Sequence, residues 1–263
     1  MGKITSLYNR LYSDYIMPSR LSEYEMMIQK LTKSGYKQMS VRDFKQTIDS
    51  TDSFNHQKIF INRHDIDTDI DTAKEFFKIE KKYNVRASYY FRLSTLDIEF
   101  MKEIEAYGSE ASYHFEEIVQ YAKDRHIKSK ETILEYMNEI KEIFKLNFTM
   151  IEDQLGSKIQ TVCSHGDFVN RKIKLINNEI TQDIVLRKSL GIVCETYDQD
   201  LTEKIDVYIA DRPYPQFYSP KSIFECIGED NVIYMLTHPR QWRVNIMVNT
   251  IDNFKRVYEG FRW

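Results

Sequence analysis

Apolar positions along the chain alternate between two spacings, one of about three to four residues and one of short uninterrupted runs. Leu21, Tyr24, Met27, Ile28 and Leu31 have the first, and Lys33-Ser34-Gly35 then predicts a glycine stop to an amphipathic helix. After the short segment 41–48 and the polar stretch 49–57, residues 58–62 have strand character and are expected to end at Arg63-His64-Asp65-Ile66-Asp67. Residues 71–83 mix Ala73, Phe76, Phe77, Ile79 and Tyr83 with charged positions and predict a helix. Residues 87–91 predict a strand, 96–107 a helix closed by Gly108, and 110–114 a further strand. A long helical region, 131–155, with a break expected near Asn147, precedes a strand at 159–163. Short strands follow at 191–194, 207–210 and 231–236, and a closing helix at 248–261.

This rhythm predicts an α/β fold with a mostly parallel sheet. Over 263 residues, nothing has the composition of a linker, so residues 1–263 are expected to form one domain, with the helices of residues 1–50 packed against it. Lys and Arg number 37 against 40 Asp and Glu, a net charge of −3, so no global field favours nucleic acid or an anionic membrane. Partners must be recognised locally. The 18 Tyr and 15 Phe are read first as core residues. Cys163, Cys194 and Cys226 are odd in number and form no CxxC pair, which argues against a disulfide framework or a thiolate zinc site and for the cytoplasm. No signal-peptide core and no run of ~20 apolar residues is present, so no membrane span is expected.

Candidate chemistry gathers where strands end, the place at which parallel α/β folds carry their functional side chains. His64, His114, His165 and His238 fall there, whereas His56 and His126 sit in polar surroundings of loop type. Asp65 and Asp67 lie two apart after an apolar strand, so both carboxylates point to one side if the strand continues. A divalent cation would relieve their repulsion and leave one as a general base. The competing account of this pair is helix capping near Asp69 or Asp71, and the spacing alone leaves the two equal. Each histidine taken singly is more often a hydrogen-bonded core residue; three repeats of the same arrangement favour a site.

In order, Ile61-Asn-Arg-His-Asp-Ile-Asp67, Gly108-Ser-Glu-Ala-Ser-Tyr-His-Phe-Glu116, Cys163-Ser-His-Gly166 and Leu236-Thr-His-Pro239 resemble the motifs of the polysaccharide deacetylase family, across roughly residues 58–242. The similarity is greater to a divergent branch with an Arg-His-Asp-x-Asp first motif, found among surface-polysaccharide biosynthesis enzymes. The resemblance implies a distorted (β/α) barrel of about seven strands. It implies a hydrolase that removes an N-acetyl or related acyl group from an amino sugar, on a nucleotide-linked or lipid-linked intermediate. It implies Asp65 as base and His238 as acid. Asp67 and His114 become ligands of a divalent metal, with Zn2+ as the default. The family's second motif has two histidines four residues apart, and Ile118 stands four after His114 here, while Ser109 replaces another histidine. The third ligand is therefore His165 by preference, with Glu117 as the alternative.

Three further assignments accompany these. Asp211, beside Arg212, is a candidate for orienting a catalytic group, weighed equally against a surface ion pair. Trp242 is a candidate wall for a sugar or acyl methyl, and Arg63 and His64 are candidate substrate contacts. Two other functions stand beside the deacetylase: hydrolysis of a small amide or formyl compound at the same metal, and a catalytically silent barrel that binds a glycan or protein partner. Oligomeric state is not legible.

Overall fold

A computed structural model of the chain describes residues 3–50 and 57–263. His56 therefore lies outside the described residues. The strand that carries the first motif, β2, shows how the fold is built. It runs Ile59–Ile66, four residues beyond the end expected from its apolar run, and all eight residues are buried. Side chains alternate across a strand. Ile59, Ile61, Arg63 and Asp65 therefore face one way, and Phe60, Asn62, His64 and Ile66 the other.

Among the described residues, nine strands form one sheet. They are β1 (Lys37–Met39), β2, β3 (Ser88–Phe91), β4 (Glu110–Phe115), β5 (Thr161–Ser164), β6 (Cys194–Glu195), β7 (Val207–Asp211), β8 (Tyr218–Ser219) and β9 (Val232–Thr237). The order is β6-β5-β4-β3-β2-β9-β7-β8, and every neighbouring pair is parallel except β7 with β8. β9 pairs one edge of β2 from Ile59 to His64. The opposite edge is shared: β1 pairs residues 59–61 and β3 pairs residues 63–66.

The sheet curls into a distorted, incomplete barrel. Ile59 and Ile61 of β2, Tyr90 of β3, Cys163 of β5, Cys194 of β6 and Val232 and Tyr234 of β9 form one buried cluster although their strands are spread across the sheet. The other face packs against helices. Phe77 of α4 (Ile70–Tyr83) and Phe100, Met101 and Ile104 of α5 (Ile98–Tyr107) join Tyr89 and Tyr113 there. Burying one such ring stabilises by about 1.5–3 kcal/mol.

The elements differ from the sequence reading in particular places. Residues 41–50 are helical, and α6 (Glu117–Arg125) follows β4 directly. The long helical region breaks at Tyr136, between α7 (Lys130–Glu135) and α8 (Met137–Leu155), not at Asn147. The strand expected at 191–194 shrinks to Cys194–Glu195, because Gly191 serves as the left-handed cap of the preceding helix Ile184–Leu190. The first helix, α1 (Lys3–Tyr15), lies along the carboxyl-terminal helix Ile246–Arg262. Asn249 Nδ2 donates to the Asp14 carbonyl at 2.8 Å, and Arg10 Nη2 to Asn253 Oδ1 at 2.7 Å. No helix among the described residues is long and apolar enough to cross a membrane.

Candidate metal centre and catalytic cleft

Read from amino to carboxyl end, the inward side chains of each central strand change character. On β2 they pass from Ile59 and Ile61 to Arg63 and Asp65; on β4 from Glu110 through Ser112 to His114; on β9 from Val232 through Tyr234 and Leu236 to His238, just past the strand. Parallel pairing brings these ends to one side of the sheet, so Asp65, Asp67, His114, His165, Asp211 and His238 collect there.

Helix capping does not employ the first two aspartates. Asp69 caps α4, its Oδ1 accepting the Thr72 N–H at 3.2 Å, which leaves Asp65 and Asp67 for the cleft. Arg63, wholly buried, grips Asp65 with both arms: Nε donates to Oδ1 at 2.8 Å and Nη2 to Oδ2 at 2.7 Å. Burial would raise the Asp65 pKa, but Arg63 and then His114 outweigh it and hold the carboxyl below its usual range. Arg63 also reaches the Cys163 thiol at 2.7 Å and the Tyr197 hydroxyl at 3.1 Å.

His114 Nδ1 donates to the Cys163 carbonyl at 3.0 Å, so its Nε2 is the nitrogen turned to the carboxylates, 3.5 Å from Asp65 Oδ2 and 3.4 Å from Asp67 Oδ1. His165 faces the same oxygen, Nε2 to Asp67 Oδ1 being 3.5 Å. Its Nδ1 lies 3.1 Å from Glu116 Oε2, off the hydrogen-bond direction. Glu116 in turn accepts from Arg92, and burial notwithstanding, the facing His165 ring and then the Arg92 guanidinium bring its pKa down to about 2. Burial opposes a charged ring at His114, yet the nearby Cys163, Asp65 and Asp67 prevail and raise its pKa well above the usual histidine value.

Asp67 Oδ1 is buried without a hydrogen-bond partner among the described residues, and two imidazole nitrogens point at it. Ligand atoms of Asp67, His114 and His165 lie within 4.8 Å of one another. One carboxylate and two imidazoles suit zinc or another divalent transition metal, with positions left for water or substrate. A second cluster, Asp65, His114 and Cys163, is equally compact. Asp65 has both oxygens committed to Arg63, and burial raises the Cys163 pKa so that the thiol keeps its proton. The Asp67 cluster is the better fit.

No family model matches the sequence, and no curated protein matches it. Solved structures do. A Streptococcus pyogenes deacetylase, PplD, in complex with acetate shares 15% identity over 66% of this chain and 74% of its own, with a TM-score of 0.42. A CE4 family pseudoenzyme from Bacillus anthracis shares 14% identity over 76% of this chain and 62% of its own, TM-score 0.44. The catalytic domain of a peptidoglycan N-acetylglucosamine deacetylase from Eubacterium rectale shares 14% over 80% and 89%, TM-score 0.42.

Across the cleft from the ligand cluster, His238 Nδ1 donates to Asp211 Oδ1 at 2.7 Å, and the His238 amide donates to Asp211 Oδ2 at 2.6 Å. Burial disfavours the charged ring, but Asp211, with Asp67 and Asp65 behind it, raises the His238 pKa to about 9. Trp242 Nε1 donates to Asp211 Oδ2 at 2.9 Å. A cleft of about 540 Å3 opens above Asp65, Asp67, Asp211 and His238.

Four residues occupy places other than those expected from sequence. Trp242 is wholly buried among Tyr24, Phe76 and Tyr218, so it braces Asp211 and forms no substrate wall. His64 faces the helices, bonded to Thr237 Oγ1 at 2.5 Å and Glu80 Oε1 at 2.7 Å, and has no access to the cleft. Arg63 has no exposed surface and acts on Asp65 rather than on a ligand. Glu117, the alternative third ligand, opens α6, where it accepts from Tyr113 Oη and from Asn147 Nδ2 at 3.0 Å, away from the cluster. Cys163 and Glu116 were missed. The alternation along β5, with Cys163 inward and Val162 outward, is the signal that points to the first.

Proposed function

We propose that the protein is a metal-dependent amide hydrolase that removes an N-acetyl or related acyl group from an amino sugar. The observation that carries this reading is the unpartnered Asp67 Oδ1 facing His114 and His165 on one wall, with a hydrogen-bonded His238–Asp211 pair on the other. Asp67, His114 and His165 would hold the metal. When bound, a divalent cation supplies a Lewis acid for the amide oxygen and makes a neighbouring water more acidic.

The chain's own residues supply the proton transfers. Asp65, held ionised and fixed in angle by Arg63, accepts the proton of the attacking water. His238, kept protonated by Asp211, delivers a proton to the amine nitrogen as the C–N bond breaks. Trp242 and the His238 amide hold Asp211 in place, so the acid is oriented before substrate arrives. Glu116 stands behind His165 and Arg92 behind Glu116, which steadies that ring.

One observation favours a silent, binding barrel: both oxygens of Asp65 are already occupied by Arg63, which lowers their basicity. A single comparison decides. Metal content of the purified protein and of His114→Ala is measured by plasma mass spectrometry, and hydrolysis of acetylated amino sugars is assayed for Asp65→Asn. About one equivalent of metal, lost in His114→Ala, with turnover lowered about 10²–10⁴-fold in Asp65→Asn, supports the hydrolase. Absence of metal after zinc, cobalt and nickel have each been supplied, or turnover indifferent to Asp65→Asn, rejects it.

A further inference from the structure

The cleft has two electrostatic halves. Its floor is acidic, with Asp65, Asp67 and Asp211. Its lip is basic: Arg10, Arg212, Arg240 and Arg256 all line the same space. Among the described residues, the only carboxylate lining the lip is Asp14, which binds Arg240 at 2.9 Å and Arg10 at 3.6 Å. Asp252, behind them, is shared between Arg240 and Arg256. Four guanidinium charges against two carboxylates leave the lip at +2, in a chain whose formal net charge is −3.

Arg212 is the least neutralised of the four. It is exposed, makes no ion pair among the described residues, and immediately follows Asp211 at the end of β7. Its amide donates to the Phe217 carbonyl at 2.8 Å, which ties the backbone of this turn beside the His238–Asp211 pair. Arg10 and Arg256 are about half exposed on the α1 and carboxyl-terminal helices, which form the opposite wall. Guanidinium forks match phosphate oxygens two at a time, and a low-dielectric cleft strengthens that pairing. The volume, about 540 Å3, is that of a small-molecule site rather than an extended polymer groove. Ser6, Asn9 and Gln216 line the same cleft and offer neutral hydrogen bonds of the sort a sugar needs.

We propose that the substrate is an acylated amino sugar carrying a phosphate or diphosphate, held by Arg212, Arg10 and Arg256 at the lip while its amide lies over Asp65 and Asp67. This rests on the amide-hydrolase reading above. A diphosphate could join the sugar to a nucleoside or to a lipid, and the lip recognises the chemistry the two share.

The test uses inorganic pyrophosphate as probe and calorimetry on the full chain freed of metal, so that neither turnover nor a bound cation contributes. The expected Kd is on the order of 1 mM or tighter, weakened at least tenfold in Arg212→Ala and recovered in part by Arg212→Lys. Both substitutions lie on an exposed side chain, and thermal unfolding checks that neither disturbs the fold. Two further titrations distinguish the sources. Uridine diphosphate binding at least tenfold more tightly than pyrophosphate supports the proposal with a nucleoside; geranyl diphosphate doing so supports it with a lipid. Binding that is absent at 10 mM, on the order of the weakest affinity such a site would show, or unchanged in Arg212→Ala, overturns the proposal. If the metal-loaded protein meanwhile hydrolyses neutral acetylated amino sugars, amide hydrolysis stands without the anion subsite. Pyrophosphate binding in a protein that hydrolyses no acetylated amino-sugar phosphate overturns the subsite as part of an active site.

Discussion

Two buried polar clusters lie back to back on β2, separated by the thickness of one strand. On the outer face, Glu80 of α4 accepts from Tyr24 and Tyr89 at 2.5 Å each and from Asn62 at 3.0 Å, and meets His64 at 2.7 Å. His64 spends its other nitrogen on Thr237. On the inner face, Asp67 Oδ1 has no hydrogen-bond donor, His165 Nδ1 is poorly aligned with Glu116, and His238 keeps 28% of its side chain exposed. Both clusters contain histidine, carboxylate and tyrosine or tryptophan, so composition does not tell them apart. Saturation of the ionisable groups does: both Glu80 oxygens and both His64 nitrogens are partnered, and on that face the amide oxygen of Asn62 alone lacks a donor among the described residues. A carboxylate bonded on all sides fixes the packing of α4 on the sheet, whereas a carboxylate oxygen and ring nitrogens left open in a cleft are where a ligand binds.

The comparison can be broken from either side. Glu80→Ala should have the largest effect, costing about 3–5 kcal/mol of unfolding free energy by stranding two tyrosine hydroxyls, an amide and an imidazole, while metal content per folded molecule stays the same. Denaturant titration with metal analysis checks both halves; loss of metal at unchanged stability would make the outer cluster the functional one. Next is the pH response of the metal-free protein. The folded His238 pKa, about 9, stands above the unfolded value near 6.5, so its contribution is full below pH 6.5 and is lost as pH rises through 9. Allowing for its partial exposure, about 2 kcal/mol should disappear over that window, and Asp211→Asn should flatten the curve. Histidine NMR of the same variant should show the His238 titration displaced downward by more than one unit. Trp242→Phe should have the smallest effect, about 1 kcal/mol of stability from the lost indole donor and a few-fold drop in kcat at constant KM. A tenfold rise in KM at constant kcat would mean instead that Trp242 reaches the substrate.

Much of this arrangement was legible in the chain, and the misses have a common cause. His165 and His238 each follow an apolar run and His114 a compact segment of strand type, and the structure puts all three at or just past the carboxyl ends of strands. His64 satisfies the same rule yet lies elsewhere, because the apolar run ends at Asn62 and the strand does not. Once the strand continues to Ile66, alternation sends Arg63 and Asp65 inward and His64 outward. The parallel α/β layout follows from the βαβ rhythm and its barrel form from the family resemblance alone, while β1 and β8, of three and two residues, carry too little pattern to be seen. Asp211 stands out in the sequence as a candidate for orienting a catalytic group, but its partners His238 and Trp242, like the approach of Glu116 to His165, are set by contacts over long sequence distances. Periodicity does not encode these.

The divided edge of β2 bears on how the chain avoids sticking to itself. β1 covers residues 59–61, below the point where β3 takes over at Arg63, and so pairs the backbone groups that this edge would otherwise present to neighbours. Such an open ladder is a template for intermolecular pairing, and here it would be bordered by Phe60 and Ile61. Trimming the chain past Met39 would thus do more than remove two helices. It would convert a quiet seam into a nucleus for aggregation, and self-association would precede any change in the candidate metal site at the far end of the same strand.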